Sequence, residues 1–153
     1  MNTISGIAAG VAALSMVLAA PAGASPVDSA EKIRKLDIML MVTSLRCRKG
    51  ADNFQPDYER FSASHLAELN AASNTLKADL GRRQGVAGAK RALDKISTGM
   101  ANAYGNGHPW LDCAALKQVA QELASNQQPG GLLAAADEYL GSSRGRITLA
   151  AGQ

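Results

Sequence analysis

Residues 38–45 read Ile38-Met39-Leu40-Met41-Val42-Thr43-Ser44-Leu45, eight consecutive positions without a charge. Wound at about 100° per residue, this stretch is apolar nearly all round, and a helix of that kind belongs in the middle of a bundle. The surrounding sequence predicts one helix from about Pro26 to Lys49, stopped by Gly50. Asp28 followed by Glu31 has the spacing of a capping box, with Asp in place of Ser or Thr. Met39 and Met41 read as core filling rather than as soft ligands or a lipid-facing surface.

The same periodicity continues outward. Phe54, Tyr58, Phe61, His65, Leu69, Ala72, Leu76 and Leu80 recur at spacings of three and four, which predicts a second helix from about Pro56 to Leu80. A third is expected from Val86 to Tyr104, with Val86, Ala89, Leu93, Ile96, Met100, Ala103 and Tyr104 as its apolar stripe. Lys90, Arg91, Asp94 and Lys95 lie on the opposite face, which reads as solvated. A fourth helix, starting at Pro109, carries Cys113, Leu116, Val119, Ala120 and Leu123, and a short fifth spans about Leu132 to Leu140. Alanine is abundant and β-branched residues rarely alternate with polar ones, so strands are not expected. The fold class is therefore all-α, a small bundle of four to five helices.

The chain has 153 residues, enough for one domain, with 16 Lys and Arg against 13 Asp and Glu and a net charge of +3. With 19% of residues charged and 46% hydrophobic, it is not an intrinsically disordered composition. A charge of +3 is too small to imply a nucleic-acid partner. From Ile7 to Ala20 the chain is uncharged and mostly Ala, Val, Leu, Met and Gly. That run is shorter than the about 20 residues of a membrane-spanning helix and suits a signal peptide, with Ala22-Gly23-Ala24 as the cleavage motif before Ser25. No Lys or Arg precedes it, so the α-amino group supplies the positive charge. The expected organisation is a leader over 1–24, a helical domain over 25–141 with no transmembrane span, and a loose tail over 142–153. The place of action is periplasmic or secreted.

In an oxidising compartment two cysteines in one small domain form a disulfide, so Cys47 and Cys113 are expected to pair. No Cys-x-x-Cys motif suggests redox work or covalent haem.

Chemistry-bearing residues are few. His65 sits on the second helix's stripe with Glu68 three positions on, the beginning of a general base. His108 lies in Gly105-Asn106-Gly107-His108-Pro109-Trp110, with Asp112 near the next helix start, where it can also cap. His65, Glu68, His108 and Asp112 are weak catalytic candidates. Tyr104, His108 and Trp110 are weak binding candidates, able to form one wall of a pocket. No His-Glu-x-x-His, no Gly-x-Ser-x-Gly and no dinucleotide glycine fingerprint occurs, and neither a metal nor a cofactor is expected.

The segments Leu36–Arg48 and Gly88–Leu111, with Cys113 after them, resemble a group of small exported two-cysteine helical proteins of Gram-negative bacteria. The resemblance covers most of residues 30–125. It implies export and the extent of the domain, and it carries over no functional residue. Some members bear the name S-adenosylhomocysteine hydrolase. That enzyme is large, cytosolic and NAD-dependent, and this short chain lacks its glycine fingerprint, so the name implies no chemistry here. The expected function is an exported helical binding or structural module, its partner an envelope protein or a small ligand and not a nucleic acid. The alternatives are a periplasmic stress chaperone, or a small hydrolase or lyase using a histidine and a carboxylate.

Overall fold

The computed structural model describes residues 24–141, so the tail and all of the leader except Ala24 lie outside the described residues. Six helices follow in order: α1 (Pro26–Cys47), α2 (Gln55–Ser64), α3 (Leu66–Gln84), α4 (Val86–Ala103), α5 (Cys113–Ser125) and α6 (Gly131–Leu140). No strand occurs among the described residues.

α1 is the centre of the bundle and packs against each of the other five helices. Ile38, Met39 and Leu40 are buried, as the uncharged stretch predicts, Met41 and Val42 are half-buried, and Leu36 just before the stretch is buried too. Thr43 and Ser44 are buried with them because their hydroxyls donate back to the helix, Thr43 to Met39 O at 2.7 Å and Ser44 to Met41 O at 2.8 Å. Leu45 departs from the all-round reading and is 44% exposed in the last turn. The helix starts one turn before Asp28. Ser25 is the cap, its hydroxyl accepts from Asp28 N at 3.1 Å, and Asp28 accepts from Ser25 N at 3.3 Å. The capping box therefore joins Ser25 and Asp28 rather than Asp28 and Glu31.

The helix count is six rather than four or five because the second predicted helix is broken at His65. There φ is −108° and ψ 15°, outside helical values, and Ser64 turns its hydroxyl onto the Phe61 carbonyl at 3.0 Å. Main-chain bonds still bridge the break, His65 N to Phe61 O and Leu69 N to His65 O. The apolar stripe keeps its phase across it, so Phe61, Leu69, Ala72, Leu76 and Leu80 all reach the core. Periodicity cannot register such a break.

Three other boundaries move. α1 stops at Cys47, two residues before Lys49. α3 runs through Gly81 and ends at Gly85, whose φ of +76° suits glycine alone. α5 begins at Cys113 rather than Pro109, with Asp112 accepting from Ala115 N at 2.9 Å as the cap.

Cys47 and Cys113 form the expected disulfide, with Cα atoms 5.8 Å apart, joining the end of α1 to the start of α5 across 66 positions. Closing a loop of that length removes unfolded-chain entropy worth about 4 kcal/mol. Replacing both cysteines by serine should therefore lower the unfolding free energy by about 4 kcal/mol in a urea titration. A loss below about 1 kcal/mol would show that the linked ends are held by packing instead.

Candidate functional site

His65 lies at the α2–α3 break and is only 5% exposed. Its Nε2 is 2.8 Å from the carbonyl oxygen of Leu123, in the last turn of α5. A carbonyl can only accept, so Nε2 carries the proton. The Leu123 carbonyl would bond within the helix to residue 127, which lies beyond the end of α5. The imidazole thus supplies the donor that the end of α5 lacks. Nδ1 faces Glu68 Oε2 at 3.7 Å, too long for a hydrogen bond, and Phe61 packs on the ring at a centroid distance of 5.4 Å. The structure brings the predicted His65–Glu68 pair close and places the imidazole in the core.

His108 repeats the device in a loop. Its Nε2 donates to Tyr139 O at 2.9 Å, in the last turn of α6, while Nδ1 accepts from Trp110 N at 3.4 Å and Leu111 N at 3.2 Å. Tyr104 stacks on the ring at 5.8 Å and Trp110 meets it edge-on at 4.5 Å. Tyr104, His108 and Trp110 therefore do come together. Burial raises the Tyr104 phenol above its ordinary pKa. The Trp110 indole Nε1 is buried and has no hydrogen-bond partner among the described residues. Gly107 has φ +103°, and a side chain there would press on Arg46 of α1. The loop is thus seated against α1 as well as α6. Asp112 serves as the α5 cap, so each of the two histidines is fastened to the end of a different helix.

A further polar group escaped the sequence reading. Asp37 of α1 accepts from the Tyr58 hydroxyl of α2 at 3.1 Å, and Arg34 approaches the same carboxylate at 4.0 Å while donating to Ser97 of α4 at 3.3 Å. Burial raises the pKa of Asp37, opposed by the Tyr58 hydrogen bond and by Arg34. Burial, together with the adjacent Asp37 carboxylate, raises that of Tyr58 well above its ordinary value. Perturbed groups in a cluster are the usual mark of a site. Here Arg34 borders a shallow groove of about 380 Å³ lined also by Ile38, Met41, Asp94 and Ser97. The cluster ties three helices together. The sequence signal was weak: Arg34 and Asp37 are one turn apart, but their partner stands 21 positions away from Asp37.

Among the described residues, no group of three His, Cys, Asp or Glu could hold a metal ion. Comparisons with protein-family models, curated proteins and solved structures find no match.

Two outcomes test these roles. His65→Ala should cost roughly 2–4 kcal/mol of stability, from the cavity and the unbonded Leu123 carbonyl. Glu68→Ala should cost under about 1 kcal/mol, since Glu68 is partly exposed; comparable losses would make the pair, not the carbonyl bond, the anchor. Asp37→Asn tests the second cluster through pH. With its folded pKa raised, Asp37 holds its proton in the folded state where the unfolded chain has released it, so its contribution falls as pH rises from the unfolded pKa through the folded one. Urea titrations between about pH 3 and pH 7 should therefore show the variant gaining on the wild type as pH rises. A constant difference would mean that Asp37 ionises in the fold as it does in water.

Proposed function

We propose that this protein is an exported helical module, closed by one disulfide, that binds an envelope component or a small ligand through its surface. The observation that carries the reading is the use made of the two histidines. Their side chains ordinarily titrate nearest to neutral pH, and in both the Nε2 proton is directed at a main-chain carbonyl in a helix's last turn. In His108 the second nitrogen also accepts main-chain N–H groups. The basic nitrogen is thus occupied in His108, and in His65 it is enclosed with a ring that is only 5% exposed; catalysis would need it to face a substrate.

Export rests on the apolar leader, on the resemblance to exported two-cysteine proteins, and on the disulfide, which persists in oxidising compartments. Cleavage before Ser25 would suit the fold. Ser25 would become the first residue, still the cap of α1, with its α-amino nitrogen placed beside the Asp28 carboxylate. Among the described residues no helix is long and apolar enough to cross a membrane.

Native mass spectrometry of unreduced protein, collected from the periplasm of a Gram-negative host, tests the reading. The expected mass is that of residues 25–153 less two hydrogens. A full-length, reduced chain would overturn export. A retained metal or covalent adduct lost on His65→Ala or His108→Ala would overturn the surface reading in favour of chemistry at a histidine.

A further inference from the structure

The sequence assigns Val86 and Ile96 to the buried stripe of α4, and the structure does not bury them. Val86 is 90% exposed at the first turn of α4, and Ile96 also reaches the surface. Val86 stands at the tip of the α3–α4 hairpin, beyond Gly85, on a crest of small residues that includes Gly81, Ala87 and Gly88. Between the two helices lies a trough of about 570 Å³ whose apolar wall is Ala78, Val86 and Ala89 and whose rim carries Lys77, Arg82 and Lys90.

The hairpin that carries Val86 is cationic. Residues 77–95 contain six cations and two carboxylates, a net +4, against +3 for the whole chain, so the remainder is net −1. Arg82 and Arg83 both bind Asp79, at 3.0 and 2.9 Å. Among the described residues, Lys77, Lys90, Arg91 and Lys95 are exposed and form no ion pair. The start of α4 adds to the positive field, because it has no side-chain cap and no acidic residue in its first turn.

We propose that the α3–α4 hairpin docks on an anionic phospholipid surface. Val86 enters the interface between headgroups and acyl chains, and Lys77 and Lys90, which line the same trough, engage the phosphates. An exposed apolar tip among cations is what such a surface selects, and cations near it each add to binding. A nucleic acid is a poorer fit. Residues 66–103 contain no aromatic side chain on which a base could stack, and a polyanion has no use for Val86. A second copy fits worse, because a twofold contact would set the same cations against each other. The inference rests on the reading of the protein as an exported binding module and names the partner of that module.

Flotation with vesicles of phosphatidylcholine alone, and of phosphatidylcholine with an equal part of phosphatidylglycerol, tests it on the exported protein. The wild type should float with the phosphatidylglycerol vesicles alone, and should release at about 1 M salt, where screening reaches about 3 Å. Reversing Lys77 and Lys90 together to Glu should weaken partitioning by at least about tenfold. Val86→Asp should weaken it several-fold with the melting temperature unchanged, since Val86 is in solvent. Failure to float with anionic vesicles overturns the proposal, as does flotation that survives either variant. Retention by a single-stranded oligonucleotide in place of vesicles overturns it in favour of a nucleic acid. Wild type and variants share one N-terminus, so their difference reports the hairpin. The mass of the same sample reports export separately, so failure of docking and failure of the underlying reading are distinguishable.

Discussion

A helix that is apolar on nearly every side must be covered on nearly every side, and α1 imposes that condition on the whole molecule. Burying Leu36, Met39, Leu40, Thr43 and Ser44 takes partners from several directions, and α1 finds them in α2 to α6. Its Thr43 and Ser44 can sit in the core only because a helix offers them carbonyls one turn back. The other helices need only one apolar stripe each. Their opposite faces are left free, and charge collects there.

The same condition makes the helix ends expensive. Short helices laid around a central one end close to the core, where unsatisfied carbonyls cannot all reach water. The fold meets this by placing imidazoles there, His65 against the end of α5 and His108 against the end of α6. The disulfide fastens the end of α1 to the start of α5, and Gly107 lets the intervening loop lie down on Arg46. Residues that resemble catalytic equipment when read one at a time are, in place, the fastenings of a small bundle.

Much of this is legible in the order of residues. The uncharged stretch over 38–45 marks the central helix, the stripe from Phe54 to Leu80 marks the buried face of α2 and α3, and two cysteines in one domain mark the disulfide. The break at His65 is not legible, because the stripe stays in phase on both sides of it. Nor is the tie between Asp37 and Tyr58, which depends on how α1 and α2 pack. Tyr104, His108 and Trp110 are neighbours in sequence, and their stacking could be foreseen; that His108 would serve Tyr139, 31 positions on, could not.

Local order thus determined what each segment could do by itself: which stretches wind into helices and which face of each seeks cover. These follow from steric and hydrogen-bonding rules that act within a few residues. Only the tertiary structure decided which apolar positions were left uncovered and which polar ones were enclosed. Val86 and His65 make the contrast. Val86 continues the stripe of α4 but stands at the tip of the α3–α4 hairpin and is 90% exposed. His65 lies on the stripe of α2 and α3 and is buried with it, and the fold supplies its partner, the Leu123 carbonyl at the end of α5. Both outcomes depend on where one helix ends relative to another, and no window along the chain contains that distance.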